Sequence, residues 1–204
     1  MTHPCVVIVM AKAPAPGYAK TRLIPALGKA GAARVADLLL ERALGAALGA
    51  RLGPVDLCCA PDEQHAALDR HRNQPGLTLS CQGEGDLGAR MARAFDRWWS
   101  LAERVIMTGT DAPTLDEHML RRAARALDDA DAVFVPALDG GYALVGLCRP
   151  APSLFQSMTW STPQVMAQTR QRLAEAGMRH VELDVVPDID EPGDLVHLPD
   201  GWLR

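Results

Sequence analysis

The sequence predicts an α/β fold, a three-layer αβα sandwich in which helices cover both faces of a mostly parallel central sheet. Short apolar runs rich in β-branched residues alternate along the chain with longer segments that have the apolar spacing of helices. This alternation is typical of parallel strands joined by crossover helices. The 204 residues contain no internal repeat and no linker, so we expect a single domain over residues 1–204.

The predicted elements follow one another in regular order. Residues 5–11 (CVVIVMA) are too short an apolar run for a helix, and six similar runs give the predicted strands 5–11, 55–60, 77–81, 104–107, 132–135, 142–147 and 180–183. Between them, segments such as the Ala- and Leu-rich stretch after the first strand have helical spacing. The predicted helices are 28–50, 63–70, 87–101, 115–127, 162–176 and a short final helix near Asp194.

Composition and charge exclude several classes of function. The net charge is −4, whereas a nucleic-acid-binding surface needs a basic stripe. The apolar run near the N-terminus is too short for a membrane span and lacks the basic flank of a signal peptide, so we expect neither. Five scattered cysteines without C-x-x-C spacing indicate buried thiols in a reducing cytoplasm. The oligomeric state stays open.

A basic loop directly follows the first strand, and it is the most informative segment of the chain. It reads KAPAPGYAKTR and carries Lys12, Gly17, Lys20 and Arg22. Ligands of α/β folds bind at the carboxyl ends of strands, where freed backbone amides and cations suit a di- or triphosphate. The spacing is neither that of a P-loop nor that of a dinucleotide-binding glycine motif. We therefore predict phosphate binding of another kind, the alternative being a solvated basic loop.

Two acidic segments are candidates for a metal site. Asp111 follows a predicted central strand within Gly-Thr-Asp-Ala-Pro, and because the next helix begins later, a ligand role is more natural than a helix cap. Asp188 and Asp190 alternate near the C-terminus, so in an extended segment they point the same way. Hard divalent cations are held by one or two carboxylates together with phosphate oxygens and water.

Three further candidates have an equally simple structural interpretation. Asp139, before Gly140 and Gly141, belongs to a ligand loop or to a hairpin turn, which Asp-Gly favours. Asp86 contacts a base or ribose, or it caps a helix. Trp160 precedes a helix whose start can face the site, although tryptophans are more often part of a core.

The chain resembles a known bacterial family in six segments that recur in the same order. They are MAKAPAPGYAKTRL, GDLGARMARAF, GTDAP, PALDGGYALVGL, LFQSMTWSTPQV and DIDEPGDL. The family is the arsenosugar-biosynthesis-type glycosyltransferases, formerly described as a domain of unknown function. The resemblance covers nearly the whole chain and implies a GT-A-like fold of the nucleotide-diphospho-sugar transferase superfamily.

The resemblance also implies roles for particular residues. Lys12, Gly17, Lys20 and Arg22 would hold nucleotide phosphates, Asp111 and Asp190 would hold Mg²⁺ or Mn²⁺, and the loop of Asp139, Gly140 and Gly141 would lie near the sugar or acceptor. We take Lys20, Asp111 and Asp139 as candidate catalytic residues, and Asp86 and Trp160 as further binding residues. One departure is that the chain has Gly-Thr-Asp where metal-dependent glycosyltransferases typically have Asp-x-Asp.

Three functions follow from these expectations. The first is metal-dependent glycosyl transfer from a nucleotide-diphospho-sugar to a small-molecule acceptor. The alternative is nucleotidylyl transfer, in which a phosphorylated substrate attacks an NTP and pyrophosphate leaves. The third is a nucleotide sensor that binds without turnover. The same residues serve both transfer reactions, so the motifs alone do not separate them, whereas the presence of the basic loop and both acidic clusters in one chain argues against the sensor.

Overall fold

The computed structural model describes residues 4–202, and within them seven strands form one sheet. The strands are β1 (Val6–Lys12), β2 (Val55–Ala60), β3 (Leu77–Cys81), β4 (Val105–Thr108), β5 (Ala132–Pro136), β6 (Tyr142–Leu147) and β7 (His180–Glu182). Their order across the sheet is β3-β2-β1-β4-β6-β5-β7. Only β6 runs antiparallel to its neighbours, β4 and β5, and the other pairings are parallel. The mostly parallel sheet predicted from the sequence is confirmed.

Helices cover both faces of this sheet. They are α1 (Ile24–Ala50), α2 (Leu87–Asp96), α3 (Glu117–Ala126) and α4 (Val165–Glu175). Side chains alternate along β1, so Val7 and Val9 pack in a cluster with α1 and α3, whereas Val6 and Ile8 pack in a cluster with α2 and α4. The three-layer αβα architecture is therefore also confirmed.

Some predicted boundaries were wrong. The segment predicted as a helix over 63–70 forms a 3₁₀ helix, Ala66–His71. Helix α2 ends at Asp96 rather than at residue 101. Turns follow it and bring Trp98 against β2, where its Nε1 donates to the buried carboxylate of Asp56 at 3.1 Å. Residues 97–101, which the apolar spacing predicts as helix, thus form turns, and Trp98 makes a polar contact to β2.

The C-terminal segment returns across the sheet edge to α1. A third apolar cluster joins Ile189 to Leu23 and to the α1 residues Val35 and Leu39, all buried. A final 3₁₀ helix, Pro192–His197, follows. This packing places the acidic residues on either side of Ile189 beside the loop after β1.

The sequence analysis expects buried thiols and no membrane-spanning segment. All five cysteines are free thiols; Cys5, Cys58 and Cys59 are buried, whereas Cys81 and Cys148 are partly exposed. Burial raises the pKa of Cys5 to about 11 and that of Cys59 to about 12. None of the helices in residues 4–202 has both the length and the apolar character that crossing a bilayer requires.

Candidate active site

A cleft of about 990 Å³ opens at the carboxyl edge of the parallel strands. Its walls come from the loop after β1, the start of α2, the exit of β4, the β5–β6 loop, the segment before α4 and the C-terminal segment. Clefts at this edge are the usual ligand sites of open α/β sheets. Of the predicted site residues, all but Gly17 and Gly140 line it; those that do are Lys12, Lys20, Arg22, Asp86, Asp111, Asp139, Gly141, Trp160 and Asp190.

Lys20 lies at the centre of the charged part of the cleft. Its Nζ is 2.6 Å from Asp111 Oδ1 and 3.8 Å from Asp190 Oδ1, and it donates a hydrogen bond to the carbonyl oxygen of Ile189. The lysine side chain is only 7% exposed. Its backbone is left-handed (φ 49°, ψ 43°), which costs a residue with a Cβ about 1 kcal/mol. The three polar contacts offset that cost.

Arg22 extends the same network towards the C-terminus. Its Nη1 donates to Asp190 Oδ2 at 2.5 Å and lies 3.9 Å from Glu191 Oε1. The basic loop and the acidic C-terminal segment, which the sequence analysis treated as separate sites, therefore form one ion-pair network. In this structure both cations contact carboxylates, so a phosphate would share or exchange these partners.

Backbone hydrogen bonds bring the two acidic segments together. The amide of Ile189 donates to the carbonyl oxygen of Asp111 at 2.8 Å. Because the Ile189 side chain is buried, Asp188 and Asp190 on either side of it both face the cleft, as the alternation predicts. Asp194 accepts hydrogen bonds from the amides of Asp190 and Glu191, which hold its pKa below the usual range.

Asp188 is a site residue that the sequence analysis placed in the acidic cluster but did not choose. Partial burial, with the negative charges of Asp139, Asp194 and Asp111 nearby, raises its pKa to about 6. Perturbed carboxyls in a cleft are typical of functional sites. The alternating pattern of the acidic segment was the available signal for it.

The β5–β6 loop is both a turn and a wall of the cleft. It connects two antiparallel strands, and Asp139 Oδ1 accepts a hydrogen bond from the amide of Gly141 at 2.7 Å. Gly140 has φ 88°, and a Cβ there would lie 2.3 Å from the carbonyl oxygen of Pro163. Gly140 thus shapes the loop without lining the cleft, while Asp139 lines it.

Asp86 and Arg90 stand at the first turn of α2. Asp86 Oδ1 accepts from the amide of Ala89 at 2.8 Å, so the predicted helix cap is present, and the residue also lines the cleft. Arg90, one turn further on, lines the cleft as well, and its Nε donates to the carbonyl oxygen of Gly85. The sequence analysis missed Arg90 individually; its position four residues after the cap, on the same helix face, was the signal.

Trp160 and Tyr142 form an aromatic wall of the cleft. Their rings meet edge to face with centroids 6.5 Å apart. Trp160 Nε1 is buried without a hydrogen-bond partner among residues 4–202. It packs closely against Gly88, where a Cβ would lie 2.9 Å from it. Burial of Tyr142 raises the pKa of its hydroxyl.

The remaining parts of the basic loop differ in position. Lys12 ends β1, is exposed and lines the cleft, and it makes no ion pair with any residue in the described range 4–202. Gly17 has φ 80° and is exposed away from the cleft lining. Its positive φ turns the loop, and its predicted part in phosphate binding stays a prediction.

Asp111 and Asp190 carry the oxygen donors that suit Mg²⁺ or Mn²⁺. Both line the cleft, with side chains 50% and 39% exposed, and both contact one ammonium group within 3.8 Å. Among residues 4–202, no group of three or more His, Cys, Asp or Glu side chains is arranged to hold a metal ion. The pair fits an ion that also takes phosphate oxygens and water.

Comparison with known families gives a match over residues 43–162, more than half of the chain. The matching family is described as "Uncharacterized protein conserved in bacteria (DUF2064)". The chain belongs to the DUF2064 family. The predicted membership in a family formerly described as a domain of unknown function is confirmed. Comparison with curated proteins gives no match.

Solved structures place this DUF2064 chain among nucleotide-related transferase folds. A protein of Desulfovibrio desulfuricans G20 with the provisional name nucleotide-diphospho-sugar transferase superposes with a TM-score of 0.87 at 25% identity, covering 100% of this chain and 91% of that one. A CMP:2-keto-3-deoxy-manno-octonic acid synthetase complexed with CTP has a TM-score of 0.58 at 14% identity, covering 95% and 96%. Rv0371c of Mycobacterium tuberculosis H37Rv, in complex with manganese, has a TM-score of 0.59 at 16% identity, covering 97% and 98%.

These similarities confirm the GT-A-like, nucleotide-diphospho-sugar transferase fold predicted from the DUF2064 sequence. The Desulfovibrio protein, at 25% identity, carries the name of a nucleotide-diphospho-sugar transferase, which confirms the prediction of a nucleotide-related transferase at that level. The two neighbours below 25% identity show the fold alone.

Proposed function

We propose that this chain transfers a glycosyl group from a nucleotide-diphospho-sugar in a reaction that depends on Mg²⁺ or Mn²⁺. One observation carries the proposal: the cations of the loop after β1 and two convergent carboxylates, Asp111 and Asp190, lie in one cleft at the carboxyl edge of the sheet. The cleft volume of about 990 Å³ suits a nucleotide sugar. The similarity to the Desulfovibrio protein supports the same class of donor.

The cations would bind the diphosphate. Lys12 and Arg90 line the cleft, and neither forms an ion pair among residues 4–202. Charge-assisted hydrogen bonds from lysine and arginine to phosphate are among the strongest in proteins. Lys20, held against Asp111, would reach the phosphates by exchanging one carboxylate oxygen for a phosphate oxygen.

Asp111 and Asp190 are the residues that would hold the metal ion. When bound, such an ion would offset the charge that develops on the departing diphosphate. The protein's own part is to keep the two carboxylates close together, which it does through the Ile189–Asp111 backbone bond and the Lys20 ammonium. The manganese complex of Rv0371c, a neighbour of the same fold, supports this assignment.

Asp139 would assist the acceptor. One of its carboxylate oxygens is engaged by the Gly141 amide, which orients the group. The second oxygen has no hydrogen-bond partner among residues 4–202 and would accept the proton of an acceptor hydroxyl.

Nucleotidylyl transfer is the second candidate. It is favoured by the Gly-Thr-Asp sequence at residues 109–111 and by the fold shared with a synthetase that binds CTP. The same cations and carboxylates would serve it.

Product analysis separates the two. The purified chain is incubated with Mn²⁺ and either a panel of nucleotide sugars or a panel of NTPs plus sugar phosphates, and the released nucleotide is resolved by anion-exchange chromatography. Glycosyl transfer predicts a nucleoside diphosphate from the nucleotide sugars. Pyrophosphate released from an NTP would instead establish the second candidate, and Asp111→Asn should abolish either product.

A further inference from the structure

We infer that the second substrate of this cleft is a hydroxyl-bearing molecule without any anionic group, either neutral or amine-bearing. The inference rests on the proposed function and extends it to the acceptor. It is based on the distribution of charged side chains around the cleft. The cations and the unpaired carboxylates follow different strands.

One half of the cleft holds all of the cations that the described residues 4–202 contribute to it. Lys12, Lys20 and Arg22 come from the loop after β1, and Arg90 comes from α2, which follows β3. These elements stand at the carboxyl ends of β3, β2 and β1, on one side of the sheet. This half suits the diphosphate of the donor.

The other half contains no cation among the described residues. After Arg90, the described part of the chain contributes no Lys, Arg or His to the cleft lining, and apart from the Tyr142 hydroxyl every ionisable group there is one of six carboxylates. These are Asp111, Asp139, Asp188, Asp190, Glu191 and Asp194. Asp111 and Asp139 follow β4 and β5, which lie on the other side of β1, and the C-terminal segment carries the remaining four back beside the loop after β1.

Three of these carboxylates form no ion pair among residues 4–202. Asp111, Asp190 and Glu191 lie within 4 Å of Lys20 or Arg22, whereas Asp139, Asp188 and Asp194 have no such partner. The acids near Asp188 are Asp139, Asp194 and Asp111, so the charge around it is negative. The ion proposed at Asp111 and Asp190 would be shared with the donor diphosphate, so a phosphate or carboxylate of the second substrate beside Asp139 and Asp188 would meet like charge, which disfavours anionic substrates.

The uncharged wall of the cleft favours a sugar or polyol. The ring of Trp160 lines the cleft while its Nε1 is buried against Gly88, so the surface offered to a ligand is apolar. Tyr142 and Leu138 extend this surface. Aromatic faces pack against apolar C–H surface and attract cations. Carboxylates beside such a wall accept hydrogen bonds from hydroxyl or ammonium groups.

The charge division also bears on the choice between the two transfer reactions. Nucleotidylyl transfer to a sugar phosphate needs a cationic subsite for the phosphate of the second substrate. Glycosyl transfer to a hydroxyl does not. The acidic half therefore favours the glycosyl reaction.

Ligand-detected NMR tests the inference without requiring turnover. Saturation-transfer spectra are recorded on the full chain with matched triplets, such as glucose, glucosamine and glucose 6-phosphate, with and without Mg²⁺ and a nucleoside diphosphate. We expect the neutral or amine-bearing member to bind at least about tenfold more tightly than the phosphorylated member. In the Asp139→Asn/Asp188→Asn variant this ratio should fall to within about threefold, whereas Glu103→Gln/Asp129→Asn, an equal charge change at exposed positions, should leave it unchanged.

Preference for the phosphorylated members, or no difference within any triplet, including no binding of any member, would overturn the inference. A parallel titration with nucleotides keeps the two proposals apart. Nucleotide binding combined with a preference for phosphorylated members refutes the acceptor assignment alone. Absence of nucleotide binding refutes the proposed function and leaves the triplet result to be judged by itself.

Discussion

The Lys20 side chain has contacts in the structure that its predicted role as a phosphate ligand does not include. The sequence predicts a phosphate ligand from its place in a basic loop. In the structure its ammonium contacts Asp111, Asp190 and the carbonyl oxygen of Ile189, so it also joins three distant segments. No local pattern foretells these contacts, because the partners are brought together by strand order and by the return of the C-terminal segment.

Replacing Lys20 by alanine should weaken nucleotide binding by about tenfold or more, as expected for loss of a charge-assisted bond to phosphate. The remaining carboxylates would also lose their central cation. Isothermal titration with the bound nucleotide measures the dissociation constant. Lys29→Ala removes an exposed lysine outside the cleft lining and should leave it unchanged. Equal affinities for both variants would show that the Lys20 ammonium stays with its carboxylates and does not bind phosphate.

Asp188 gives a stability prediction that depends on pH. Its pKa is raised from 3.8 to about 6, so the folded protein holds this proton more tightly than the unfolded chain does. The stabilising contribution of the protonated group is complete below pH 3.8 and is lost as the pH rises through about 6. Asp188→Asn should therefore raise the melting temperature relative to the wild type at pH 8, and the gain should shrink towards pH 4.

Thermal denaturation between pH 4 and pH 8 measures that difference. The control is Asp129→Asn, at an exposed position outside the cleft, which should show little change with pH. A gain for Asp188→Asn that is the same at both ends of the range, or larger at low pH, would contradict the assignment of a raised pKa.

At the scale of elements, the hydrophobic pattern predicted every strand, since period-two alternation and β-branched runs are local signals. Helix ends were less predictable. Asp116 caps α3, where its Oδ1 accepts a hydrogen bond from the amide of Met119 at 2.9 Å. By contrast, α2 ends early because Trp98 bonds to Asp56 on β2, a contact between segments far apart in sequence.

Gly88 in the first turn of α2 provides a test at this scale. A Cβ there would lie 2.1 Å from the carbonyl oxygen of Phe155 and 2.9 Å from Trp160 Nε1. Gly88→Ala should therefore push the segment before α4 away from α2 and destabilise the protein by about 2 kcal/mol. Urea denaturation gives the free energy of unfolding.

Gly45→Ala is the matched control, because Gly45 lies in α1 and a Cβ there meets no atom within 4 Å. It should stabilise the protein by about 0.5 kcal/mol through the better helix propensity of alanine. Similar effects of the two substitutions would show that α2 and the Trp160 segment are not in close contact.

At the scale of the whole molecule, the strand order β3-β2-β1-β4-β6-β5-β7 determines which charged side chains meet in the cleft. It places the cations on one side, the unpaired carboxylates on the other, and Lys20 with Asp111 and Asp190 between them. The sequence predicted most of the charged residues that line the cleft and that the sheet is mostly parallel. It did not predict the division of charge, because that depends on which strands are neighbours.

The central claim is that Asp111 and Asp190 hold a divalent ion against a nucleotide bound by the basic loop. Calorimetric titration of the wild type and of Asp111→Asn with nucleotide sugars, with and without Mn²⁺, tests it most directly. The structure leads us to expect micromolar binding of one nucleotide sugar by the wild type that requires Mn²⁺ and is lost in Asp111→Asn, with both proteins equally folded by circular dichroism. Binding that is indifferent to Mn²⁺, or unchanged in Asp111→Asn, would contradict the account.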